Sequence, residues 1–155
     1  MATFRPSPPL RTILVGTDFS LCAARALSFA ISLALPQSAR IHVLHVLSEP
    51  IPALDVSGAL PYLDLKTRRE WEESSRSHLE REVKAAEKRG IRATSSLAWG
   101  RPSDVIIQTA TEMKVSMVVV GTHGRSAFEQ FLIGSTAERV VRRSPVPVLT
   151  VREKK

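Results

Sequence analysis

The sequence has little cysteine, little aromatic character and no long apolar run, and each shortage excludes a class of protein. The single cysteine, Cys22, excludes an intrachain disulfide and a thiolate metal cluster, and its apolar surroundings predict a buried core residue. An aromatic content of 5% leaves no stacking platform for single-stranded nucleic acid. No apolar run approaches the roughly 18–20 residues of a membrane span, and the first residues lack a signal-peptide pattern. We therefore expect a cytoplasmic protein without a membrane partner.

Several catalytic and phosphate-binding motifs are missing as well. The sequence contains no Walker pattern G-x-x-x-x-G-K-[ST], and its first strand–helix turn lacks G-x-G-x-x-G. It has no G-x-S-x-G nucleophile elbow, and neither a catalytic triad nor an acid–base pair of carboxylates can be assembled from it. No catalytic residue is predicted, and whether the protein is an enzyme stays open.

Length and charge bound what remains. A chain of 155 residues with 43% hydrophobic content is expected to form one domain over 1–155, with a real core. The net charge of +7 is spread along the chain, so we expect solvated surface charge, and this distribution argues against nucleic-acid binding.

Apolar, β-branched runs alternate with helical patterns along the chain. Strands are predicted over 11–17, 40–47, 91–98, 116–121 and 145–151, and helices over 20–35, 67–90, 102–113 and 135–143. This alternation predicts an α/β fold, a doubly wound five-stranded parallel sheet with helices on both faces. The apolar first and fourth strands look central, and flanking prolines place the fifth at an edge. The predicted order is 3-2-1-4-5, with a ligand crevice between strands one and four.

Four local features carry further expectations. In the first helix Arg25, Ser28 and Ser32 lie on one narrow stripe, so the remaining positions are expected to be buried. Residues 67–70 fit a capping box that would start the second helix. The proline-rich connection 48–65 is predicted to be a functional lid. His42, His45 and His78 are interpreted as structural residues.

Residues 117–136 are the most informative stretch of the chain. An apolar run ends at Gly121-Thr122; Gly124 follows, and after nine intervening residues Gly134-Ser135-Thr136 opens a predicted helix. Glycines let successive amides turn inward as an anion nest, and a helix start favours phosphate, so this pattern predicts a polyphosphate site. Residues 135–138 also fit a capping box, so the Ser135 hydroxyl either caps the helix or contacts phosphate.

The end of the first strand repeats part of this pattern. Val15-Gly16-Thr17 matches the V-G-T that ends the fourth strand, and Asp18 follows it. Asp18 is interpreted either as a helix cap or as an acceptor for ribose hydroxyls across the crevice. Arg125 either screens phosphate charge or is solvated. His123 has no second ligand at metal-binding spacing, and no protein metal site is predicted.

With these residues in view, the chain resembles the universal stress protein family from about 10 to 152. The resemblance is carried by the ILVGTDFS opening, the HVL at 45–47, the GTHGR…GST pattern and the terminal SPVPVLTV. It implies a nucleotide site of the family's ATP-binding branch, with Asp18 at the nucleoside and the backbone of Val46 at adenine. Phosphate and ribose contacts would fall on Gly121, Gly124, Gly134, Ser135 and Thr136, with Gly16 and Thr17 lining the adenosine side. Phe19 departs from the family's usual small or polar residue, so it either packs in the core or narrows the pocket.

The resemblance also implies a function. The leading hypothesis is an ATP-binding stress-response or signalling module, in which the nucleotide regulates rather than serves as a substrate of efficient catalysis. ATP is expected to bind together with Mg²⁺ or Mn²⁺, and two copies of the chain are expected to form a homodimer through strand 146–152. The alternatives are a slow ATPase and a nucleotide-free dimeric interaction protein.

Overall fold

A computed structural model of the protein describes residues 8–48, 64–122 and 134–152. These residues form five strands that alternate with four helices, and a short 3-10 helix, Leu35–Gln37, follows the first helix. The strands are β1 Thr12–Thr17, β2 Arg40–Leu47, β3 Ala93–Trp99, β4 Met117–Gly121 and β5 Val148–Val151. The helices are α1 Leu21–Ala34, α2 Leu65–Glu87, α3 Pro102–Glu112 and α4 Ser135–Arg143. Most of the connection predicted to be a lid, 49–63, lies outside the described residues.

The strands form one parallel sheet in the order β3-β2-β1-β4-β5. This confirms the predicted fold class and strand order. β1 is central, as its apolar sequence indicated, and β5 is an edge strand, as its flanking prolines indicated. Because Gly16 of β1 pairs in register with Val120 of β4, the two V-G-T sequences end side by side at the carboxyl edge of the sheet.

Alternate residues of β1 and β4 pack into two separate hydrophobic core layers, one on each face of the sheet. Ile13 and Val15 of β1 pack on one face with apolar residues of α1 and α2, whereas Leu14 packs on the other face with α3 and α4. In β4, Val119 joins the first layer, and its neighbours on either side join the second. Because successive strand residues point to opposite faces, a fully apolar strand is the sequence pattern of a sheet that is covered on both sides.

Helix α1 is less completely buried than predicted. Its inner face is apolar and closed, and Cys22 is 2% exposed, as expected. Leu21 and Phe29, however, are 74% and 52% exposed, so the expectation that only one polar stripe faces outward is wrong. A single helix on a sheet buries only the side that meets the strands, whatever the residues on its other side.

Helix α2 begins earlier than the predicted capping box. Asp64 is its N-cap: the carboxylate accepts the amides of Lys66 and Thr67 at 2.8 and 3.0 Å and the Thr67 hydroxyl at 2.7 Å. The hydroxyl expected to cap the helix is therefore itself bound by the true cap. Glu70 Oε1 lies 4.0 Å from Nζ of Lys66, one turn earlier in the helix.

None of the described helices combines the length and the apolarity that a membrane crossing requires.

Candidate functional site

A cavity of about 370 Å³ opens at the carboxyl ends of β1, β2 and β4, beside the start of α4. This is the crevice that the strand order predicts, and its size falls in the range of small-molecule sites. Nine of the eleven residues predicted for the nucleotide site line it, which brings both halves of the predicted site together. They are Gly16, Thr17, Asp18, Val46, Gly121, Thr122, Gly134, Ser135 and Thr136. The other two, Gly124 and Arg125, lie outside the described residues.

The turn after β1 is held by hydrogen bonds from each of its residues. The Thr17 hydroxyl accepts the amide of Phe19 at 3.1 Å, and Asp18 Oδ1 accepts the amide of Ser20 at 3.0 Å. Ser20, not Asp18, is the N-cap of α1, since its hydroxyl accepts the amide of Ala23 at 3.2 Å. Asp18 therefore shapes the turn before the helix, and it also lines the cavity.

Phe19 adopts a conformation that its side chain disfavours. Its φ of 63° is in the left-handed region, at a cost of roughly 1–3 kcal/mol for a bulky residue. The ring packs on the core, with its centroid 4.3 Å from that of His45 and 4.8 Å from that of His78. It is absent from the cavity lining, so of the two roles considered for Phe19 the structure shows core packing.

His45 was treated as structural from sequence, but it also lines the cavity. Its Nδ1 donates to the carbonyl of Thr17 at 2.8 Å, and because a carbonyl only accepts, Nδ1 must carry a proton. His45 therefore ties the end of β2 to the end of β1. This contact depends on the register that places His45 opposite Thr17, which only the fold reveals.

His42 fits the structural interpretation. It is buried, and its two ring nitrogens lie 2.8 Å from the hydroxyls of Thr94 and Ser96 on β3. Burial lowers the pKa of His42, because the charged imidazolium is poorly solvated there. The neutral ring can bond to both hydroxyls, since each hydroxyl can donate or accept.

Glu82 of α2 contacts Thr17 at the turn after β1. It was not among the residues predicted from the sequence. Its Oε1 accepts the Thr17 hydroxyl at 3.1 Å, whereas its Oε2 is buried and has no hydrogen-bond partner among the described residues. Burial raises the pKa of the Glu82 carboxyl; the Thr17 hydrogen bond and nearby His78 oppose the shift, and Asp18 adds to it. An ionised carboxylate is therefore costly at this position.

The raised pKa predicts a pH-dependent stability difference between the wild type and Glu82→Gln. An acid with a raised folded-state pKa contributes most stability when protonated, and loses it as pH rises above the ordinary value of 4.5 and through the folded pKa. Thermal unfolding from about pH 4 to about pH 7 should therefore show the wild type losing stability relative to the variant. Parallel curves for the two proteins would contradict this account.

The end of β4 approaches α1 closely at Gly121. A Cβ placed on this glycine would lie 2.9 Å from Cys22 Sγ and 3.2 Å from the Cys22 backbone carbon. The next residue, Thr122, is 1% exposed; its amide donates to the carbonyl of Val151, and its carbonyl accepts the amide of Gly134 at 2.6 Å. The hydrogen bond between Gly134 and Thr122 therefore connects the two described parts of the glycine pattern, 121–122 and 134–136.

The first turn of α4 has no side-chain cap among the residues that the structure describes. Its N-cap is Gly134, and the predicted capping box is wrong: Glu138 Oε1 lies 3.5 Å from Arg142 Nε, one turn later, rather than reaching back. The first amides of a helix have no intrahelical acceptor, and Ser135, Thr136 and Ala137 all line the cavity. The helix start therefore presents amides and the positive end of its dipole to the cavity, as an anion site requires.

Comparison with known proteins agrees with this geometry. Residues 9–152 match the profile of the universal stress protein family. The chain belongs to that family. Universal stress protein MJ0531 of Methanocaldococcus jannaschii is 30% identical over 152 residues, which cover 94% of this chain and 84% of the relative. Universal stress protein YxiE of Bacillus subtilis is 32% identical over 144 residues, which cover 90% and 97%.

Solved structures show the same universal stress protein fold. Protein MJ0577 of Methanocaldococcus jannaschii superposes with a TM-score of 0.82 at 26% identity, over 96% of this chain and 99% of that chain. A universal stress protein in complex with cAMP has a TM-score of 0.70 at 24% identity, over 94% and 98%. The Archaeoglobus fulgidus protein in complex with dAMP has a TM-score of 0.66 at 22% identity, over 93% and 99%.

Proposed function

We propose that this universal stress protein binds ATP and works as a nucleotide-dependent regulator in a stress or signalling response. The observation that carries the proposal is one cavity with two chemically different ends. Asp18 lies at the β1 end, and glycines lie at the β4 and α4 end with helix amides that no described side chain caps. A nucleotide has the matching pair of parts, a ribose rich in hydroxyl donors and an anionic phosphate chain.

The β1 and β2 side is proposed to hold the nucleoside. An ionised carboxylate is a strong hydrogen-bond acceptor, and ribose hydroxyls are proposed to donate to Asp18, which lines the cavity. The backbone of Val46 would meet adenine, and Gly16 and Thr17 would line this side. Gly16 has little room for a side chain, since a Cβ there would lie 3.1 Å from Ile106 Cδ1.

The β4 and α4 side is proposed to hold the phosphates. Gly121, Thr122, Gly134, Ser135 and Thr136 surround this part of the cavity, and Gly124 and Arg125 remain predicted contacts from the sequence pattern. Among the described residues, no group of three or more His, Cys, Asp or Glu side chains is placed to hold a metal. Mg²⁺ or Mn²⁺ is proposed to be held chiefly by phosphate oxygens, as is usual for nucleotide-bound Mg²⁺.

The cAMP and dAMP complexes support adenine nucleotides as the ligand class for this fold. Both proteins are less than 25% identical to this chain, so the assignment to this chain rests on its own cavity residues. Mass spectrometry of denatured, freshly purified protein tests the proposal. Recovery of ATP or ADP is expected; clean protein that also fails to bind added ATP with Mg²⁺ or Mn²⁺ would overturn it.

A slow ATPase is the alternative with the same binding site. It requires a group that activates or positions water, and no such residue was identified from the sequence. Single-turnover hydrolysis by carefully purified protein separates a regulator, which holds intact ATP, from an enzyme, which releases phosphate.

We further propose that two copies pair through the C-terminal strand, 146–152. The described part of that strand, β5, is at the edge of the sheet, where one row of backbone groups faces outward. Light scattering after size-exclusion chromatography should give twice the chain mass. A monomeric protein that still binds ATP would overturn the proposed dimer and leave the proposed nucleotide site unaffected.

The Asp18→Asn variant tests the nucleoside end. Asparagine keeps an oxygen that can accept the Ser20 amide, so the turn and the thermal midpoint should be preserved. Ribose hydroxyls lose a charged acceptor, and ATP affinity should fall about tenfold. Affinity for 2′,3′-dideoxy-ATP should stay unchanged in the same titrations, and equal losses for both ligands would place Asp18 away from the ribose.

A further inference from the structure

We propose that Glu82 is a positioning residue for the nucleoside end of the cavity: it holds the Thr17 hydroxyl and thereby fixes the turn that carries Asp18. This inference rests on the proposed nucleotide function and assigns part of that function to helix α2. Glu82 does not line the cavity, and its hydrogen bond to Thr17 is the contact through which it is proposed to act on a ligand.

The link runs through one hydroxyl group. Thr17 Oγ1 donates to Glu82 Oε1 and accepts the amide of Phe19, both at 3.1 Å. A hydroxyl has one hydrogen, and giving it to the carboxyl directs the oxygen lone pairs toward the amide. Thr17 is 7% exposed, so without Glu82 its hydroxyl would lack this acceptor and would be free to turn its hydrogen elsewhere.

The Phe19 amide matters because it anchors a strained residue. Phe19 is held in the left-handed region by this hydrogen bond and by its ring contacts with His45 and His78. Asp18 lies between Thr17 and Phe19, so the direction of its carboxylate follows from both neighbours. Glu82 and His78 are one turn apart on α2, and the helix therefore supports the turn at two points.

The character of Glu82 favours this role over simple packing. Leu79 and Ala86, one turn away on either side, are apolar and buried in the core. A buried carboxyl whose Oε2 lacks a partner among the described residues destabilises the fold compared with an apolar residue. Costly groups of this kind are characteristic of functional sites, where a sequence departs from the most stable choice.

The test compares Glu82→Ala with Glu82→Gln in the full chain. Titrations with ATP and with 2′,3′-dideoxy-ATP should show Glu82→Ala losing about tenfold in ATP affinity and little for the dideoxy ligand. Glu82→Gln retains an acceptor oxygen and should restore both affinities. In ligand-free protein, hydrogen exchange at the Phe19 amide should be faster in Glu82→Ala than in the wild type or Glu82→Gln.

A second variant keeps the inference testable if Glu82→Ala does not fold. Thr17→Val removes the same hydroxyl link, should reproduce the ATP-selective loss, and should not add to it in the double variant. Equal losses for both ligands, or wild-type affinity with wild-type exchange at Phe19, would overturn the inference while the nucleotide site stands. A wild type that binds no ATP would overturn the proposed function and this role together, whereas the exchange result would still report on the turn alone.

Discussion

The Ser135→Asp variant is expected to lose ATP affinity by about 100-fold or more while its fold stays intact. Ser135 is exposed in the first turn of α4, beside the uncapped amides that we assign to phosphate. A carboxylate there would repel the phosphate chain, and a loss of about 2.8 kcal/mol already amounts to 100-fold. The same carboxylate suits a helix N-terminus, so the free energy of unfolding should stay level or rise by about 0.3–1 kcal/mol.

Two controls make this result specific. Ser135→Asn has a similar size without the charge and should bind ATP within a few-fold of the wild type. Adenosine, which has no phosphate, should bind Ser135→Asp and the wild type equally well. Wild-type ATP affinity in Ser135→Asp would show that the phosphates are not at the start of α4.

The Gly121→Ala variant is expected to lose about 1–3 kcal/mol of stability, the usual cost of overpacking a core. The added Cβ would lie 3.2 Å from the Cys22 backbone carbon and 3.3 Å from the Ala23 amide nitrogen, as well as 2.9 Å from Cys22 Sγ. Two of these atoms belong to the backbone of α1, so the first turn of that helix would have to move away from β4. Chemical denaturation monitored by circular dichroism measures the loss.

Gly16→Ala is the matched control at the other V-G-T sequence. Its Cβ would meet only the side-chain ends of Ile106 and Val120, at 3.1 and 3.2 Å, and these can shift more easily than a helix backbone. A smaller loss is expected, and Ile106→Val, which removes the nearer atom, should recover part of it. Equal losses at the two glycines would mean that the close approach of α1 to Gly121 is not what requires the glycine.

The sheet could be predicted because its information is local. Each strand is a short apolar run that ends in turn residues, and strands alternating with helices leave few parallel topologies. The prolines beside β5 predicted that it is an edge strand of the sheet, and the continuous apolar sequence of β1 predicted that it is a central strand. The structure confirms both positions. The position of the cavity was predicted from the same strand order, because the ligand crevice of an open α/β sheet lies at the carboxyl ends of the strands, at the point where the strand order reverses.

Helix starts were predicted less well because several polar residues compete for the same amides. Thr67 and Glu70 match a capping box, yet Asp64 lies closer to the true start and binds the Thr67 hydroxyl itself. The box at Ser135 failed for a related reason: α4 starts at that residue, with Gly134 as its cap. A short pattern indicates that a helix begins nearby without fixing its first residue.

His45 and Glu82 were missed because their roles depend on contacts between distant parts of the chain. Glu82 meets Thr17 across 65 residues, and the pattern of α2 shows only that its face near Leu79 is apolar. The role of His45 required the register of β2 against β1, which sets it opposite Thr17. Sequence periodicity gives the face of an element, whereas the partner on that face comes from the fold.

Calorimetric titration of nucleotide-free wild-type protein with ATP and Mg²⁺ tests the central claim most directly. We expect saturable binding of about one ATP per chain and competition by adenosine. The thermal midpoint should rise with ATP concentration, because a ligand that binds the folded state stabilises it. No heat of binding and no shift of the midpoint at ATP concentrations of about 1 mM, where even a weak site of 4.1 kcal/mol would be half filled, would contradict it.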